Sequence, residues 1–121
     1  GRAYTPQRTL RAESEIRRQW MRACGDSMGG FGGEVRVRIE AQRPLARSNP
    51  RFWAGRADLM KPDADNLAKV VCDSLNGLAY KDDSQITQLS VTFDRRVPHC
   101  DACLVRVRVE YYEERYEKER I

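Results

Sequence analysis

The sequence has few of the residues that mark membrane, secreted or zinc-binding proteins. Its 121 residues include one histidine and four cysteines. No apolar run approaches the ~20 residues of a membrane-spanning helix. No secretory signal pattern is present, which predicts a cytoplasmic location and free thiols in a reducing compartment. We therefore expect no membrane partner and no disulfide framework.

The cysteines are also poorly arranged for zinc. Cys100 and Cys103 form a Cys-x-x-Cys pair directly after His99. Tetrahedral zinc needs four ligands, but Cys24 and Cys72 lie far away in the sequence, where we predict that they face inward as small apolar side chains. We expect no zinc. His99 falls in a predicted turn, so we do not expect it to act as a general base.

Arginine is abundant and unevenly distributed. The chain has a net charge of +4, and 18 of its 22 basic residues are arginine. Residues 1–62 carry 13 basic and 6 acidic side chains, whereas residues 63–121 carry 9 and 12. The planar guanidinium group suits phosphate oxygens. A basic half beside an acidic half suggests a polyanion held close to a metal ion.

Apolar periodicity predicts two helices and three strands. A first helix begins at Thr5-Pro6 and ends at a glycine-rich connector that lacks the phosphate-loop pattern. Its expected buried stripe is Ala12, Ile16, Trp20, Ala23 and Cys24. Strands are predicted at 34–41, 87–93 and 105–111, the last two as a hairpin. One α+β domain over residues 1–121 is expected, with a small, largely antiparallel or mixed sheet and two helices packed on one face in a two-layer sandwich.

Residues 61–85 contain the most informative pattern. A second helix is predicted after Pro62, with Asp65 as its N-cap and Asn76-Gly77 as its end. Its buried face is Leu67, Val70, Val71, Ser74, Leu75 and Leu78. The five aspartates of this stretch are Asp63, Asp65, Asp73, Asp82 and Asp83. These acids either cap and solvate local structure or hold a divalent metal, which prefers oxygen ligands. Lys69, one turn past Asp65, could pair with it or reach a phosphate.

Residues 43–60 have neither helical nor strand periodicity and combine basic with aromatic side chains. Long irregular loops in compact domains are often functional. We interpret Phe52 and Trp53 as anchors in the core. The basic side chains are candidates for contacts to the DNA backbone. They are Arg43, Arg47, Arg51 and Arg56, together with Lys61 directly after this segment.

The spacing of this acidic stretch resembles the RusA family of Holliday-junction resolvases. The shared pattern reads KPDxDNLxK, then DxLN, then DDxQI, over about 25 positions. The opening GRAYTP resembles the segment that follows the family's first strand, so we expect that strand to be missing from the given sequence.

The resemblance implies a Mg²⁺-dependent endonuclease that cuts four-way DNA junctions, with Mn²⁺ as an alternative ion. Asp63, Asp65 and Asp83 match the metal-binding acids, and Lys69 matches the catalytic lysine. Asp82 and Asp73 also fall on motif positions, as supporting acids. The implied assembly is a homodimer on branched DNA, in the nucleoid of a bacterial or phage source. Two alternatives stay open: a nuclease for other branched or single-stranded DNA, and a non-catalytic DNA-binding module.

Overall fold

The computed structural model describes residues 7–45, 48–59, 63–97 and 104–113, with side chains from residue 11 onward. Its helices are α1 (Gln7–Cys24) and α2 (Ala64–Leu75), and its strands are β1 (Glu34–Gln42), β2 (Ile86–Phe93) and β3 (Leu104–Tyr112). Two short 3-10 helices lie at Arg51–Trp53 and Asp83–Gln85. The strands form a mixed sheet that the helices contact, which confirms the predicted α+β class.

The strand order is β2-β1-β3, so β1 is the central strand. The predicted hairpin between β2 and β3 is therefore wrong. Hairpin loops usually have two to five residues, whereas residues 94–103 separate these strands and are long enough to let β3 pair elsewhere. Alternating side chains identify a strand but do not identify its neighbour.

The central position of β1 explains its burial pattern. Val35, Val37, Ile39 and Ala41 are buried, while Arg36 and Arg38 on the opposite side are exposed. This alternation confirms the predicted half-buried strand. The edge strands are covered less well, and Leu89, Leu104 and Val105 remain among the exposed large apolar side chains.

The chain divides into two compact units. The first comprises the described parts of Gly1–Arg36, Val70–Gln88 and Val109–Ile121, and the second comprises those of Val37–Lys69 and Leu89–Arg108. In the first unit, Val71, Leu75, Ala79 and Tyr80 are fully buried. The Tyr80 hydroxyl donates a hydrogen bond to the Cys72 carbonyl at 2.7 Å. The prediction of one domain stays a prediction.

Helix α1 is less buried than its sequence predicts. Ala12, Ala23 and Cys24 are exposed, and Ile16 and Trp20 are half-buried. The inward placement of Cys24 is therefore wrong, whereas Cys72 is buried as expected. A helical period shows which side chains share a face but does not show how closely that face is covered. The predicted start at Thr5-Pro6 lies outside the described residues.

Helix α2 follows its prediction closely. Val71, Ser74 and Leu75 are buried, and the helix ends at Leu75, just before Gly77 with φ +78°. The Arg17 guanidinium donates hydrogen bonds to the carbonyls of Ser74 (2.8 Å) and Asn76 (3.1 Å). A cation here offsets the partial negative charge at the C-terminal end of the helix.

Gly29 in the connector serves a close backbone contact. A Cβ atom at Gly29 would lie 2.3 Å from the Gly77 carbonyl oxygen. The absence of a side chain therefore lets the connector pack against the turn after α2. This packing gives the glycine a structural purpose other than flexibility.

Candidate active site

Asp63 is the N-cap of α2. Its Oδ1 accepts a hydrogen bond from the Asn66 amide at 3.0 Å, and its carbonyl accepts the first helical bond, from the Leu67 amide, at 3.0 Å. Asp65 lies inside the first turn, so its predicted role as N-cap is wrong. The structure does bear out a capping role for an acid here, one of the two interpretations left open by the sequence. Capping engages one oxygen of the Asp63 carboxylate.

Asp65 and Lys69 are exposed on the first two turns of α2. Their spacing of four residues places them on the same helix face. Lys69 makes no ion pair with any residue that the structure describes. Its ammonium group, like the Asp65 carboxylate, is open to solvent.

The second acidic pair lies at the 3-10 helix Asp83–Gln85. Asp82 is its N-cap, and its carboxylate accepts a hydrogen bond from the Ser84 amide at 3.1 Å. The Ser84 side chain, by hydrogen bonding to this carboxylate, lowers the pKa of Asp82 most, and the bond from the Ser84 amide lowers it further, because both stabilise the ionised form. Asp83 is exposed. The two neighbouring acids thus differ, since the Asp82 carboxylate caps the turn, whereas the Asp83 carboxylate makes no hydrogen bond to a described residue.

Gln85 attaches this acidic turn to the glycine-rich connector. Its side-chain oxygen accepts a hydrogen bond from the Asp82 amide at 2.7 Å. Its side-chain nitrogen donates to the carbonyls of Phe31 (2.7 Å) and Gly33 (2.8 Å). Gln85 belongs to the DDxQI pattern, but that pattern alone assigns no role to its side chain. The spacing Asp-x-x-Gln, which is typical of a capping box, was the available signal.

Asp73 is exposed on α2 beside the buried Cys72. Burial raises the pKa of the Cys72 thiol and that of the Tyr80 hydroxyl, and the negative charges of Asp73 and Asp83 raise both further. Asp73 and Asp83 therefore both act electrostatically on the same buried pair. A supporting role for Asp73 stays a prediction.

The donor chemistry of Asp63, Asp65 and Asp83 fits Mg²⁺, because each offers an exposed carboxylate and Mg²⁺ takes oxygen ligands. Asp63 keeps its second oxygen free of the cap. Among the described residues, no group of three or more histidine, cysteine or acidic side chains is close enough to hold a metal ion. His99, Cys100 and Cys103, which belong to the separate Cys-x-x-Cys segment, lie outside those residues.

Arg43 has a structural role in a buried ion pair and is not exposed on the loop. Its guanidinium forms a two-bonded ion pair with Asp58, at 2.6 and 2.9 Å, and lies 4.2 Å from the ring centroid of Phe93. Both charged side chains are buried. A guanidinium that is buried and paired in this way presents little surface to a phosphate, which makes Arg43 the weakest of the predicted DNA contacts; its contact to DNA stays a prediction.

The other predicted DNA contacts fall into two groups. Arg51 and Arg56 are exposed on the loop, where a phosphate could reach them. Arg47 and Lys61 lie outside the described residues. Phe52 is 72% exposed, so its predicted anchoring in the core is wrong, whereas Trp53 is half-buried.

Within the described residues, neither helix combines the length and apolar character needed to cross a bilayer.

The chain is 38% identical over 68 residues to an uncharacterized protein of Bacillus subtilis (strain 168), YqaN; the match covers 50% of this chain and 48% of that protein. The chain thus spans about half the length of this curated relative. The family model described as "Endodeoxyribonuclease RusA" matches residues 1–117. The chain therefore belongs to the RusA endodeoxyribonuclease family.

Proposed function

We propose that the protein is a Mg²⁺-dependent endonuclease that resolves four-way DNA junctions during recombination and repair. The observation that carries the proposal is the family match over residues 1–117, which includes the whole acidic motif. The structure supports it by leaving Asp63, Asp65, Lys69 and Asp83 exposed. Side chains that only filled a core or completed internal ion pairs would not be open to a DNA strand.

Asp63, Asp65 and Asp83 are the proposed ligands of the ion. When bound, Mg²⁺ would polarise the phosphoryl oxygen and favour a nucleophilic water. Helix α2 positions its two acids at its N-terminal end, where its dipole favours negative charge. The cap bond to Asn66 orients the Asp63 carboxylate before any ligand arrives.

Lys69 is the proposed electrostatic partner of the reaction. Hydrolysis forms a bond from a water oxygen to phosphorus and breaks the phosphorus–oxygen bond to the leaving strand. Negative charge builds up on the phosphoryl oxygens during this step. An exposed ammonium group without a competing ion pair in the described structure is suited to offset that charge.

The test is a nicking assay on four-way, flap, duplex and single-stranded DNA, with and without Mg²⁺. Asp63→Asn should abolish cutting while retaining junction binding. Asparagine is as good an N-cap as aspartate, so α2 should keep its cap and its stability. Asp94→Asn, at an exposed acid outside the motif, is the matched control and should cut normally.

Mg²⁺-dependent cutting by Asp63→Asn would refute the ligand assignment. Equal cutting of flaps and junctions would replace the proposed substrate by branched DNA in general. Binding without any cutting by the unaltered protein would favour the non-catalytic module.

We further propose that the active form is a symmetric homodimer. A four-way junction has an approximate two-fold axis, and its resolution needs two symmetric nicks, one from each chain. Within the sheet that the described residues form, β1 is paired on both sides and offers no free edge for a partner, whereas β2 and β3 are the edge strands. The mass of the protein in solution tests whether it is a dimer. Mixing unaltered and Asp63→Asn chains tests whether each chain makes one of the two nicks. Mixed dimers should nick one strand, and paired cuts by a monomer would contradict the proposal.

A further inference from the structure

Phe52 carries an exposed aromatic ring on the arginine-containing loop of residues 43–60. It lies in the 3-10 helix Arg51–Trp53 and has 72% of its surface exposed. Its ring meets that of Trp53 edge to face, with centroids 6.5 Å apart. An isolated exposed apolar side chain needs no explanation, but this ring has a fixed support and a charged neighbour.

The support is the backbone around Arg96. The Arg96 amide donates to the Arg56 carbonyl at 3.0 Å, and the Gly55 amide donates to the Arg96 carbonyl at 2.8 Å. The buried Arg96 guanidinium also donates to Asn49 Oδ1 at 3.1 Å and to the Pro44 carbonyl at 3.2 Å. These contacts hold both sides of the 3-10 helix, so Phe52 projects from an ordered platform.

The platform is positively charged. The Arg56 guanidinium carbon lies 5.3 Å from the Phe52 ring centroid and 5.7 Å from that of Trp53. Arg51 is exposed. The loop's only acid in residues 43–60 is Asp58, which is buried in its ion pair. A flat apolar ring beside a guanidinium that forms no ion pair with a described residue is complementary to a nucleotide, which has a flat base and a negative phosphate.

We propose that Phe52 stacks on the exposed face of a base at the branch point of the DNA, while Arg51 and Arg56 contact the adjoining phosphates. Bases inside a continuous duplex are stacked on both faces, whereas base pairs at an opened branch point lose one stacking neighbour. Phe52 would therefore help the protein to select branched DNA. This inference rests on the proposed action on DNA junctions.

The experiment compares how tightly the unaltered protein and its variants bind two DNA junctions in the absence of divalent metal. Affinities are measured for a four-way junction and for the same junction with abasic nucleotides at the branch point. Base–aromatic stacking contributes ~1–3 kcal/mol per base, so the unaltered protein should bind the intact junction roughly 5- to 150-fold more tightly. In Phe52→Leu, which keeps an apolar side chain without a ring, this ratio should fall towards one. Phe52→Tyr should retain it.

Leu59→Ala is the matched control, because Leu59 is 90% exposed and apolar but has no ring. It should leave the ratio unchanged, and thermal unfolding should show that every variant is folded. An unchanged ratio in Phe52→Leu would overturn the inference. An equal fold loss of affinity for both junctions is one form of that outcome. Mg²⁺-dependent cutting by the same unaltered preparation tests the proposed function separately.

Discussion

Replacing Gln85 should loosen the acidic turn and weaken the response to metal. Gln85→Met keeps a side chain of similar length but removes the hydrogen bonds to Asp82, Phe31 and Gly33. Asp83 directly follows Asp82, whose amide donates a hydrogen bond to Gln85. If Asp83 binds Mg²⁺, a mobile turn should raise the metal concentration that is needed for cutting.

The expected cost follows from the three hydrogen bonds. Each contributes about 0.5–1.5 kcal/mol net. Water can replace Gln85 at the exposed Asp82 amide, and the Phe31 carbonyl keeps a bond from the Lys81 amide at 3.2 Å. We therefore expect Gln85→Met to lower the free energy of unfolding by roughly 1–3 kcal/mol, rather than by the full sum.

Three measurements check the prediction. Urea unfolding should give the stability loss, and hydrogen exchange in metal-free protein should speed up at the Asp82 amide. The half-saturating Mg²⁺ concentration for junction cutting should rise severalfold, with much of the rate restored at high Mg²⁺. Gln88→Met is the matched control, because Gln88 is exposed and makes no side-chain hydrogen bond to a described residue.

Gln85→Glu separates the bond that the Gln85 side-chain oxygen accepts from the two bonds that its side-chain nitrogen donates. Glutamate can still accept from the Asp82 amide, but its carboxylate would face the Phe31 and Gly33 carbonyls without donating to either. We expect Gln85→Glu to lower the free energy of unfolding at least as much as Gln85→Met does. The reasoning is refuted if Gln85→Glu behaves like the unaltered protein. It is also refuted if Gln85→Met lowers cutting equally at every Mg²⁺ concentration.

Other residues lead to further predictions. Asp58→Ala should cost about 3–5 kcal/mol in urea unfolding, because it leaves the Arg43 charge buried without its partner; a loss below 1 kcal/mol would contradict this. Lys69→Ala should slow single-turnover cutting by on the order of 10²–10³ while hardly changing junction affinity; equal losses in both would make Lys69 an ordinary phosphate contact. Serine at both Cys100 and Cys103 should leave activity and zinc content unchanged; stoichiometric zinc lost in this variant would contradict the prediction.

Local structure and the family were accessible from the sequence. The end of α2 near Gly77, the alternation of β1 and most of the buried face of α2 were predicted correctly, because periods of 3.6 and 2 depend on neighbours along the chain; of that face, Leu67 and Val70 are only half-buried. The acidic motif also indicated the family through residue identity and spacing alone. The choice of Asp65 as N-cap was off by two positions, since both acids can cap and only the path of the backbone after Pro62 distinguishes them.

Long-range partners were decided only by the tertiary structure. The order β2-β1-β3 depends on contacts between distant segments, so two adjacent strand patterns wrongly suggested a hairpin. Arg43 looked like its exposed neighbours until Asp58, fifteen residues away, proved to be its buried partner. Gln85 reaches carbonyls more than fifty residues earlier. A sequence shows which groups can donate, accept or carry charge, whereas the fold determines which groups meet and which stay open to DNA.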